Sequence, residues 1–118
     1  MKILLVSALR DEGPHLLEWI AHHRAIGVTD FLIFSNDCSD GTNELLDNLG
    51  EYGVVHLLNN PPRNKSLQWN ALKEAWNHQL RKSADWILCI DTDEFVNLRS
   101  PLQSLDDLVT KIEAAIAS

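Results

Sequence analysis

Five apolar residues, Trp86-Ile87-Leu88-Cys89-Ile90, run without a break into Asp91-Thr92-Asp93-Glu94-Phe95. An apolar run of that length reads as a strand of a buried parallel sheet. Acids that follow it directly sit beyond its carboxyl end, where open α/β sheets bind their ligands. Along an extended strand end, residues i and i+2 point to the same side, which brings Asp91 and Asp93 together. Two carboxylates so placed make a hard-oxygen site for Mg²⁺ or Mn²⁺, best completed by substrate phosphates. The same residues also suit a solvated acidic turn or a helix cap, and a bare Asp-x-Asp arises often by chance. Its place directly after an apolar strand favours the metal.

Working back from this strand, three more apolar runs alternate with helical patterns. Ile3 to Val6 carries no polar alternation. Gly13-Pro14 then opens a helix with Pro14 at its first position, and Leu16, Trp19, Ile20, His23 and Ile26 form one stripe. Gly27 stands where a helix ends in a left-handed cap. Phe31 to Phe34 is the second strand, and Ser39 or Asp40 caps a short helix carrying Leu45, Leu46 and Leu49. Val54 to Leu58 is the third strand, closed by Asn59-Asn60-Pro61-Pro62. One long helix is expected from about Lys65 to Arg81, with Leu72, Ala75, Trp76 and Leu80 on its apolar side, and a last one from about Leu105 to Ala117. The alternation predicts an α/β fold with an open, mainly parallel sheet and flanking helices. Strands one to three running outward and the fourth returning beside the first give the order 3-2-1-4. The reversal then lies between strands one and four.

The chain has 118 residues, enough for a single domain with a core of its own. With 17 Asp+Glu against 10 Lys+Arg it carries a net charge of −7, which argues against a nucleic-acid binder or a polybasic membrane-surface protein. Cys38 and Cys89 belong to no CxxC pair, so a cytoplasmic, reduced chain is the default. Arg10, Asp11 and Glu12 interrupt the apolar start before it reaches signal-peptide length, and no run is long enough for a membrane span.

Other strand ends are also polar. The first leads into Arg10-Asp11-Glu12, which is either a ligand edge or a charged surface turn. The second leads into Asn36-Asp37-Cys38-Ser39-Asp40-Gly41-Thr42, a natural turn and cap in which Asp37, at the strand's end, is placed to accept a base N–H. Arg63 and Lys65 are phosphate candidates or simply exposed. The five histidines, His15, His22, His23, His56 and His78, show no metal-ligand spacing and read as packing or surface residues. Trp19, Trp69, Trp76 and Trp86 read as core or helix-face residues.

With these residues in view, the chain resembles the glycosyltransferase family 2-like proteins of GT-A fold, over Ile3 to about Val96. The resemblance rests on the Asn36–Thr42 loop and on the Trp-x-Leu-x-Ile-Asp-x-Asp-Glu-Phe context from Trp86 to Phe95. It implies a nucleotide-diphosphate sugar as donor, UDP-sugar favoured, and a carbohydrate or other hydroxyl acceptor. By resemblance, Asp11 and Glu12 border the nucleoside pocket and Asp37 contacts the base. Asp91 reaches the ribose or metal, and Asp93 ligates the divalent cation, Mn²⁺ or Mg²⁺, that bridges the diphosphate. Family members continue past the metal motif into an acceptor-binding half that supplies the catalytic base. Residues 1–118 are therefore expected to be a nucleotide-sugar-binding fragment lacking that half, with the base outside it and Glu94 in a supporting role. Two other readings compete. One is a non-catalytic nucleotide-binding module on the same scaffold. The other is a haloacid-dehalogenase-like phosphatase, whose Asp-x-Asp normally ends the first strand rather than the fourth.

Overall fold

The computed structural model describes residues 1–9, 15–35, 42–58 and 67–117. Its strands are β1 (Ile3–Leu9), β2 (Asp30–Ser35), β3 (Val54–Leu58) and β4 (Trp86–Cys89). The helices are α1 (Leu16–Ala25), α2 (Thr42–Asp47), α3 (Leu67–Trp76), α4 (Gln79–Ser83) and α5 (Leu105–Ala117), with a 3-10 turn at Gly50–Tyr52. All strand pairs are parallel and the order is β3-β2-β1-β4, as the sequence predicts. Leu5 faces Phe31 on one side and Leu88 on the other, so β1 is the centre of the sheet.

Alternation along the strands sends successive side chains to opposite faces. Ile3, Leu5, Phe31 and Ile33 join Leu16, Trp19, Ile20, Leu46 and Leu105 in one core, under α1, α2 and α5. Leu4, Val6, Leu32 and Phe34 turn the other way and meet Ala71 and Ala75. Those two alanines let α3 lie close over β1. A sheet clothed on both faces explains why β1 and β2 read as unbroken apolar runs. At the β4 edge the cover is thinner, and Ile87 and Cys89 face solvent.

Chain turns follow local chemistry. Gly27 has φ +122°, and Val28 N–H reaches back to the His23 carbonyl at 3.0 Å, closing α1 with the expected left-handed residue. Gly53 has φ +85°, and a Cβ there would lie 2.8 Å from the Thr29 carbonyl oxygen, so only glycine fits. The expected caps Pro14, Ser39 and Asp40 lie outside the described residues.

The single helix expected over Lys65 to Arg81 is two. The chain leaves helical geometry at His78 (φ −75°, ψ 148°), whose ring accepts from Leu80 N–H at 3.1 Å and starts α4. Trp76 does not pack inward as expected. It is 58% exposed, with the Arg81 guanidinium 4.2 Å over its ring. Trp19, by contrast, is wholly buried, and Trp86 is half-buried against the same core. No helix among the described residues is long and apolar enough to cross a membrane.

Candidate functional site

Because all four strands are parallel, their carboxyl ends share one edge of the sheet, and β1 and β4 lie side by side there with β2 beyond. This is the reversal point at which open α/β sheets take ligands. β4 stops at Cys89, so Asp91 and Asp93 lie in a turn and not on the extended strand end expected from the sequence. The turn is closed twice between the same two residues. Glu94 N–H donates to the Asp91 carbonyl at 3.0 Å, and Asp91 N–H donates to the Glu94 carboxylate at 2.9 Å.

The turn gathers what the strand geometry was expected to gather. One ligand oxygen each from Asp91, Asp93 and Glu94 lie within 4.8 Å of one another. Asp91 is partly covered while Asp93 and Glu94 are exposed, so the cluster opens outward. Burial pushes the Asp91 carboxyl above the usual carboxylate value, and the neighbouring charges of Glu94 and Asp93 push it the same way. Three hard oxygen donors in mutual repulsion suit a small divalent cation, and the donor set fits Mn²⁺ or Mg²⁺. Between the two aspartates Thr92 is buried, and its Oγ1 has no hydrogen-bond partner.

Beneath the turn stands α1. The Trp19 indole N–H donates to the Glu94 carbonyl at 2.8 Å. The Val96 peptide is held on both sides: its carbonyl accepts from His22 Nε2 at 2.7 Å, and its N–H donates to His23 Nε2 at 3.2 Å. His23 Nδ1 in turn donates to the Trp19 carbonyl at 2.8 Å. Accepting at one nitrogen and donating at the other requires the neutral ring. Burial holds His23 below its ordinary pKa, the Trp19 carbonyl opposes that shift, and His22 adds to it.

Of the residues singled out in the sequence, Asp91 and Asp93 are brought together. Asp11, Glu12, Asp37, Arg63 and Lys65 lie outside the described residues. Sequence reasoning missed the roles of Trp19, His22 and His23. Their spacing of i, i+3 and i+4 was visible, but it reads equally as core packing.

Comparison with known proteins bears on the family. The model of glycosyltransferase family 92 matches residues 10–116. A glycosyltransferase family 92 protein of Oryza sativa subsp. japonica is 32% identical over 109 residues, covering 87% of this chain and 17% of its own length. One from Ricinus communis is 31% identical over 78% of this chain and 16% of its own length. One from Arabidopsis thaliana is 27% identical over 80% and 16%. The chain thus spans about one sixth of the length of the curated relatives it matches. The matching family is not the family 2-like group to which the Asn36–Thr42 loop and the Trp86–Phe95 stretch were likened; the glycosyltransferase assignment stands and the family is corrected. The chain belongs to glycosyltransferase family 92.

Proposed function

We propose that this chain forms the donor-binding part of a glycosyltransferase and holds a nucleotide-diphosphate sugar together with Mn²⁺ or Mg²⁺. The observation that carries the reading is the convergence of Asp91, Asp93 and Glu94 beside the β1–β4 reversal. Family membership supports sugar transfer as the reaction class of the whole protein.

In this reading Asp91 and Asp93 hold the cation, while Glu94, already bonded to Asp91 N–H, keeps the turn closed. The bound cation would neutralise charge on the departing nucleoside diphosphate. Asp37 accepts a base N–H, Asp11 and Glu12 border the nucleoside, and Arg63 and Lys65 are the candidate phosphate partners. A chain with 17 acids and 10 basic residues has reason to meet a diphosphate through a metal. The sugar passes to an acceptor hydroxyl, whose deprotonation we assign to a base outside these residues.

Calorimetric titration with UDP and Mn²⁺ tests the reading. Donor binding predicts that each ligand strengthens the other. A non-catalytic scaffold without a nucleotide site binds neither, and that result overturns the proposal.

A further inference from the structure

The acidic turn is anchored at two ends of unlike kind. On its near side β4 fixes it through the sheet, with Cys89 opposite Val6. On its far side the anchoring is by side chains from a single helix, acting across 73 to 75 residues of sequence. Trp19, His22 and His23 occupy one stripe of α1 and seize three backbone groups: the carbonyl of Glu94 and both polar groups of the Val96 peptide. Phe95, between them, lies edge-on to the His22 ring at 5.2 Å and is stacked on the His23 ring at 5.8 Å.

This is more than burial requires. Packing alone would be served by apolar side chains at these positions, whereas here each ring nitrogen has a directional role. His22 must donate, because a carbonyl only accepts. His23 must accept from Val96, because an amide N–H only donates. The grip begins on Glu94, the residue whose carboxylate bonds Asp91 N–H and whose N–H bonds the Asp91 carbonyl. A displacement of Glu94 therefore moves Asp91 and changes the spacing of the carboxylates.

We propose that Trp19, His22 and His23 are positioning residues: through Glu94 and Val96 they set the shape of the Asp91-Thr92-Asp93 turn, and with it its affinity for a divalent cation and nucleotide. None of the three is assigned a contact with the ligand. The consequence for ligand affinity rests on the donor-binding reading above, while the consequence for the turn does not.

His22 offers a clean test because it is only partly buried. His22→Phe keeps a ring to pack against His23 and Phe95 and removes the donor to Val96. His22→Gln keeps an N–H at similar reach. Amide exchange on the metal-free chain should speed about tenfold at Glu94 and Val96 in the Phe variant, with the β1 and β2 amides unchanged. In the presence of Mn²⁺ its affinity for UDP should fall about tenfold, and without metal by less than about twofold. The Gln variant should restore both quantities to near the unaltered values. Unchanged exchange at Glu94 and Val96 in His22→Phe overturns the proposal, as does a Gln variant no better than Phe. An unaltered chain that fails to bind Mn²⁺ with UDP sinks the donor reading instead, and the exchange comparison then decides the positioning role by itself.

Discussion

Ser35 Oγ, on the last residue of β2, lies 2.6 Å from Nε2 of His56 on β3. The other ring nitrogen of His56 donates to Asp47 at 2.7 Å. The two ends differ in environment, since the His56 side chain is 6% exposed and that of Asp47 67%. His56→Phe should therefore cost about 1–2 kcal/mol, because it removes two hydrogen bonds, one of them to a buried hydroxyl. Asp47→Ala should cost less than about 1 kcal/mol, because water screens and replaces an exposed partner. Chemical denaturation of both variants checks this, and equal losses would contradict it.

Replacing Asp93 with Ala should abolish Mn²⁺-dependent nucleotide binding and leave the fold intact, because an exposed turn residue contributes little to the core. For the unaltered chain, saturation to a hundred times Kd should raise stability by about 2.7 kcal/mol. A melting temperature of the Asp93→Ala variant that still rises with Mn²⁺ and UDP would remove Asp93 as a ligand.

The raised titration of Asp91 has its largest cause in burial, with Glu94 and Asp93 adding to it. Asp93→Asn removes one of those charges and should lower the pH at which Asp91 titrates, read by carboxyl NMR on the metal-free chain. In the unaltered chain, protons should compete with Mn²⁺ as pH falls through this raised value. Affinity that strengthens in acid would be inconsistent with carboxylate ligation.

His23 shifts in the other direction, and its effect falls on folding stability. Its folded value is lowered, chiefly by burial, so the unfolded chain takes up the proton first. Its contribution to stability is present above the ordinary histidine value of about 6.5 and declines as pH falls from there toward the folded value. Melting from pH 8 to pH 5 should show that decline, and His23→Gln should flatten it. A variant as steep as the unaltered chain would assign the decline to other groups.

Asp37 should read the nucleobase. Asp37→Asn exchanges an acceptor-only carboxylate for an amide and should cost about 1–3 kcal/mol in UDP binding. Inorganic pyrophosphate should bind both proteins alike, and equal losses for the two ligands would count against base recognition.

The sheet was legible because Phe31 to Phe34 and Ile3 to Val6 are apolar on both faces, a pattern that only a doubly covered strand needs. The pairing of Asp91 with Asp93 was legible for a partly mistaken reason, since a turn rather than a strand brings them together. The break at His78 was hidden because its cap is a ring nitrogen, outside the usual serine, threonine, aspartate and asparagine set. The grip of α1 was hidden for a different reason. Its partners are backbone atoms 73 to 75 residues away, and no side-chain pattern announces a distant peptide group.

The central place of β1 governs how the molecule comes to exist in time. Its partner β4 is pinned by Lys2 N–H on the Asp85 carboxylate, a contact closing 83 residues of chain. Parallel neighbours cannot be joined by a hairpin, so each pairing must await a long crossover and its entropy. β3, β2 and β1 can associate once residues 3–58 have been synthesised, whereas the acidic turn can take shape only after β4 reaches β1 and Val96 reaches α1. Refolding should accordingly be slow for a chain of this size, and protection at the Glu94 and Val96 amides should lag behind that of β2 in a pulse-labelling experiment.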